Sequence, residues 1–149
     1  MPVTHAPSLA PRAAEEIDPR VPIVGMPDTR PLSPALAERL SQLVAQANSS
    51  DGPFRSAAEE AERLVALAGA RESESWIAAQ QAVSAAVAAR APTTKALSDI
   101  DALGAASLQS KGELSAADLA AIEAATAEVG ALDKVQAGIV DNLQARLGN

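Results

Sequence analysis

The stretch from Ser115 to Leu147 constrains everything before it, because it reads as one continuous helix about 50 Å long at 1.5 Å per residue. A rod of that length must be sheltered along its apolar side by the preceding segments. Ser115 followed by Asp118 resembles a capping box with Asp in place of Glu, which sets the start. Asp118 and Glu123 near that start and Arg146 near the end suit the macrodipole. Projected at about 100° per residue, Leu119, Ile122, Ala125, Val129, Leu132, Ile139, Val140, Leu143 and Leu147 fall on one broad face, the expected core side. Gln136 interrupts that face. Its stem is expected to pack while its amide reaches water, the other reading being a buried polar group that fixes register. On nearly the opposite side Ala124, Ala131, Gly138 and Ala145 recur every seven residues. Alanine is the best helix former, so the plain reading of this stripe is a solvated face. The sharper reading is a second contact surface that lets another backbone approach closely, either the N-terminal arm or another subunit.

Cysteine is absent from the 149 residues, which removes disulfides, thiolate nucleophiles and zinc ribbons. With one Trp, one Phe and no Tyr, the core must be built from Leu, Ile, Val and much Ala. Each such side chain buries little apolar area, so stability depends on length of contact or on association. A formal net charge of -7 argues against nucleic acid and against anionic membranes, both of which require clustered Lys and Arg. Lys95, Lys111 and Lys134 are scattered instead. The longest uncharged run, Ser75 to Ala89, is too short and too polar at Gln80, Gln81 and Ser84 to span a membrane. Pro2, Pro7, Pro11, Arg12, Glu15 and Glu16 leave no room for a secretory signal, so a cytoplasmic location is expected. The excess of Arg over Lys and the abundance of Ala point to a GC-rich bacterial genome, a coding bias without functional content.

Taken in order, residues 1–32 hold most of the prolines and no helical period, so they are expected to form an extended Pro-rich arm outside a bundle domain of residues 33–149. Within the arm Val21, Ile23, Val24 and Met26 are too apolar for a mere tether and form a candidate docking segment, for the chain's own bundle or for a partner. The first helix is expected to begin at Ser33 with Pro34 in its first turn, to turn Leu36, Leu40, Leu43, Val44 and Ala47 inward, and to end in the turn cluster Asn48 to Gly52. A second helix starts near Pro53 to Ser56, where Ser56 and Glu59 match a capping box. It either stops at Gly69, leaving Ser73 to cap a third helix carrying Trp76, Ile77, Val83, Ala86 and Val87, or runs through to Arg90. Pro92 closes that region, and Thr93 or Thr94 can cap the next helix, bearing Leu97, Ile100, Leu103, Gly104 and Leu108 and stopped by Gly112. Short links make successive helices antiparallel neighbours, so the expected fold is all-α, an up-and-down bundle of four to five helices with a long C-terminal helix.

The catalytic inventory is thin. His5, the only histidine, lies in the arm, which excludes di-metal sites of the Glu-x-x-His type and phosphotransfer through a bundle histidine. Asp99, Asp101 and Gly104 fail as a calcium loop, whose fifth position would be Leu103 and whose twelfth would be Ser110. No phosphate loop, dinucleotide turn or nucleophile elbow occurs. The charge cluster Glu59, Glu60, Glu62, Arg63, Arg71, Glu72 and Glu74 reads as a solvated helix face with local ion pairs.

No catalytic residue, cofactor site or metal site is therefore expected. The expected function is that of a non-enzymatic interaction or assembly protein, acting on a protein partner or on itself through Ala124, Ala131, Gly138 and Ala145 or through the arm. Two alternatives stand beside it. One is a binder of small apolar ligands with a cavity in an under-filled bundle, and the other an exported helical effector or secretion substrate. The turn Ala91 to Thr94 between Ala-rich helices is similar in composition to the small helical-hairpin substrates of specialised secretion, but their Trp-x-Gly turn and Tyr-containing export signal are missing.

Overall fold

Four helical segments form in the computed structural model, which describes residues 29–148. They are α1 (Pro34–Leu67), α2 (Glu74–Ala89), α3 (Ala91–Lys111) and α4 (Ala116–Leu147). No strand occurs among the described residues. Arg90 alone parts α2 from α3, and the two scarcely touch each other while both lie along α1. The four segments therefore make three rods: α1 running up, α2 and α3 running down end to end, and α4 running up. This corrects the expected four to five helices.

The main cause is α1, which does not end at Asn48 to Gly52 but runs 34 residues with Pro53 inside it. Its buried residues Leu36, Leu40, Leu43, Ala47, Ser50, Phe54, Ala58, Ala61 and Val65 keep three- and four-residue spacings straight through the suspected turn. A break would turn Phe54, the chain's one phenylalanine, away from the core. Ser49, whose carbonyl loses its helical donor at Pro53, is exposed, where water can replace that donor. Ser56 consequently sits in mid-helix and caps nothing. Of the two readings at Gly69 the structure takes the first. The segment after Leu67 leaves the helix, Gly69 N–H donates to Ser75 Oγ at 2.9 Å, and Ser73 Oγ caps α2 by accepting from Trp76 N–H.

The core lies in three clusters stacked along the rods. The first joins Leu36, Leu40, Leu43 and Ala47 of α1 to Ala96 and Ile100 of α3 and to Ala125 and Val129 of α4. The middle one joins Phe54 and Ala58 to Ala86 and Val140. The last joins Ala61 and Val65 to Ala79, Val83, Leu143 and Leu147. Trp76 closes this end, its indole N–H donating to the Leu147 carbonyl at 3.3 Å beneath the Arg71 guanidinium. α4 is unbroken at Gly130 and Gly138, as expected, and ends on Gly148 in the left-handed region. Gly112 ends α3 in the same way. Leu119 of α4, placed on the core face by its helical projection, is 45 % exposed, and Leu108 on α3 and Ile77 and Val87 on α2 are exposed as well. The inner arcs are narrower than the apolar composition suggests, because the rods meet through alanine.

Candidate functional site

Three features stand out from this frame: an uncharged outer face on α4, a polar layer across the core, and a junction where three helix ends meet. Ala124, Ala131, Gly138 and Ala145 are all exposed on the side of α4 turned away from the core. The structure extends this face with Ala120, Ala127 and Val135, the last 53 % exposed, none of which the seven-residue spacing had singled out. Charges stand only at its edges, with Glu123, Lys134 and Asp141 along one side and Glu128 and Arg146 along the other. A shallow open groove lined by Thr126, Ala127, Gly130, Ala131 and Lys134 marks its first half. Cβ atoms added at Gly130 or Gly138 would meet nothing within 4 Å, so no other described segment covers the face there. The candidate arm residues Val21, Ile23, Val24 and Met26 lie outside the described residues.

The second feature separates the first core cluster from the middle one. Ser50 Oγ and Thr93 Oγ1 share a buried hydrogen bond of 2.6 Å between α1 and α3, so Thr93 is a core residue and not the expected cap. Thr94 does not cap either, its hydroxyl donating to the Ala91 carbonyl at 3.0 Å; α3 instead starts at Ala91, just after Arg90. One turn earlier, Arg90 Nη2 donates to Asp133 Oδ1 on α4 at 2.8 Å. One turn after Asp133 comes Gln136, which is wholly buried, contrary to the expectation that its amide reaches water. Neither its amide nitrogen nor its amide oxygen has a hydrogen-bond partner among the described residues, and neither has Arg90 Nε. Five polar side chains thus interrupt the hydrocarbon at the level where α2 gives way to α3.

At the third feature Asp118 binds three helix ends together. It is almost fully buried, accepts from Ser33 N–H at 2.9 Å through Oδ1 and pairs with Lys111 Nζ at 3.1 Å through Oδ2. Its own N–H is capped by Ser115 Oγ at 3.0 Å, so Ser115 caps α4 as expected. The carboxylate, however, serves the start of α1 and the end of α3. The Ser33 amide bond, helped by Lys111 and Ser115 and opposed by burial, holds the Asp118 carboxyl below the ordinary aspartate value of 3.8. A depressed pKa gives stability that is complete above the unfolded value and is lost as pH falls through the folded one. Asp118→Asn is therefore expected to lower Tm at pH 7 and to converge with the parent as pH drops below about 4. Thermal melts from pH 7 to pH 2 check this, and a Tm gap that stays constant across the range would exclude the carboxylate as its source.

Among the described residues no group of three or more His, Cys, Asp or Glu gathers where a metal could sit, and no helix is long and apolar enough to cross a membrane. A groove of about 320 Å³ between α1 and α4, lined by Arg55, Ala58, Glu59, Glu62 and Ile139, is open to solvent. In the charge cluster of α1, Arg63 pairs with Glu60 and Glu62 with Arg146 of α4, both exposed. Lys95 pairs with Asp99, one of the two acids of the discounted calcium loop. Comparison with protein-family models, with curated proteins and with solved structures returns no match.

Proposed function

We propose that the chain is a non-enzymatic helical interaction or assembly module, working in the cytoplasm, that offers the outer face of α4 to a helix of a protein partner. The observation that carries this reading is the exposed, centrally uncharged surface from Ala120 to Ala145, with Val135 half out of the protein, in a chain of which 21 % is charged. Small side chains over that length let a second helix approach closely and gain its contact energy from many weak van der Waals contacts. The edge charges, both acidic and basic, would set the direction in which the partner lies.

The reading is tested by capture from an extract of the source cell with the full chain as bait. The wild-type chain is expected to retain a partner that Ala131→Arg loses at least tenfold, since a guanidinium at the centre of the face must be desolvated or must hold the helices apart. Ala131 is exposed, so the variant folds as the parent does. Capture indifferent to Ala131→Arg and to Gly138→Arg would overturn the assignment.

A further inference from the structure

Three large apolar side chains stand exposed at the end of the bundle where the chain enters α1: Leu32 by 37 %, Leu108 near the end of α3 by 49 %, and Leu119 in the first turn of α4 by 45 %. The last two belong to one seam. A Cβ on Gly104 of α3 would lie 3.5 Å from Ile122 of α4, so these residues mark the line along which the two helices touch. Leu108 comes four residues after Gly104 and Leu119 three before Ile122, which puts both on that line, one turn nearer the loop that joins the helices. Away from the loop the seam continues through Leu97 on α3 and Thr126 on α4. With no side chain at Gly104 it is a furrow between two walls.

We propose that the occupant of this furrow is the chain's own segment of residues 21–26, laid lengthwise between α3 and α4 with Met26 nearest the loop. The first ground is where the described chain begins. Ser33 N–H is bound to Asp118 at 2.9 Å and Arg30 Nη2 reaches the Glu113 carbonyl, in the loop between α3 and α4, at 3.5 Å, so residues 1–28 join the bundle at the open end of the seam. At about 3.1 Å per residue Met26 can lie about 12 Å from Arg30 and Val21 about 28 Å. Along the helices, Leu108 and Leu119 are about 6 Å from the loop and Leu97 and Thr126 about 16–22 Å. Val87, Ile77 and Leu67, the exposed apolar side chains level with Val140, Leu143 and Leu147, are about 37 Å or more from it and out of reach. The second ground is pattern. At three residues per turn Val21 and Val24 share one row and Ile23 and Met26 the next, while Pro22 and Gly25 share the third. Two adjoining apolar rows suit a furrow with two walls, and the segment and the seam from Leu97 to Leu108 are both about 16 Å long. The tether holds the segment at an effective concentration on the order of millimolar, which favours it over a free partner. Docked there, it leaves Ala124, Ala131 and Gly138 on the outer side of α4 uncovered.

Since the full chain contains no cysteine, designed pairs test the contact directly. Under mild oxidation Met26→Cys with Leu119→Cys should close a disulfide within one chain at least about tenfold faster than Met26→Cys with Ala120→Cys, a pair of equal reach whose second member lies on the outer side of α4. Equal rates would show a segment that is tethered without being docked and would overturn the proposal. So would bridges that join two chains in preference to one, which would give the furrow to a second copy. Stability supplies a second readout, because Leu119 is exposed and residue 23 lies outside the described bundle, so neither substitution disturbs the core. Leu119→Gln and Ile23→Gln should each lower Tm by about 3 °C, and the double variant by no more than the larger single loss, since either change alone releases the segment. Losses that add, or no loss at Leu119→Gln, would overturn the assignment as well.

Discussion

Phe54→Ala is expected to destabilise the chain by about 3–5 kcal/mol, the range for truncating a fully enclosed phenylalanine. The effect exceeds that of other core positions because Phe54 also decides the course of α1. It is completely buried between α1, α2 and α4, where Ala58, Ala86 and Val140 surround it. It follows Gly52 and Pro53, which oppose helix by about 1 and about 3 kcal/mol relative to alanine. Burial of one aromatic ring therefore offsets a local break of the same size, and Ala47, Ser50 and Ala58 on the same stripe tip the balance toward one rod.

Removing the ring reverses that balance, and α1 should fray or part near Gly52. Urea denaturation and helical circular dichroism would show both the lost stability and the lost helix. Adding Pro53→Ala to the variant should recover about 3 kcal/mol, because only Gly52 then opposes the helix. A loss below about 1 kcal/mol on Phe54→Ala would mean that the ring does not hold the rod together.

That balance also explains what could be read in advance. Signals that are local in sequence and local in effect were legible: Ser33 with Pro34, Ser73, Gly112 and Ser115 begin or end helices where their chemistry says they should. The length of α4 was legible because nothing in it opposes helix strongly. The run through Gly52 and Pro53 was not, since turn residues state a local preference and the burial that overrides it comes from α2 and α4. One signal was available all the same: Ser50 and Phe54 continue the spacing of Leu43 and Ala47, and their phase shows no break. Leu119 was placed inside by its position on the helical projection yet is exposed, whereas alanines at Ala79, Ala86, Ala96 and Ala125 are buried between the rods. Asp118 shows the same limit. Its place in the first turn of α4 was legible, but its tie to Ser33 depends on α1 starting beside it. Of the candidate site, the exposed stripe was legible from its period, while the polar layer was not, because Gln136 is buried only by the rods around it.

Gln136→Met is expected to raise stability by about 1–3 kcal/mol and Tm by roughly 3–8 °C, a gain where most core substitutions lose. Both amide atoms of Gln136 are buried without a partner among the described residues, so folding removes them from water with no return. Methionine keeps the unbranched shape and nearly the volume while replacing the amide by a thioether that needs no hydrogen bond. Thermal melts and urea titration check the gain, and a variant less stable than its parent would show that the amide is satisfied after all. The gain should come without a loss of definition. The three rods meet largely through alanine, and a sliding α4 could exchange one small side chain for another at little cost. An amide without a partner is as costly in the native register as in any other, so the register of α4 is held by polar groups that are paired there, Arg90 with Asp133 and Asp118 with Ser33 and Lys111. The stabilised variant should therefore keep a single sharp set of amide resonances in its NMR spectrum. Broadened or doubled resonances would assign the choice of register to Gln136.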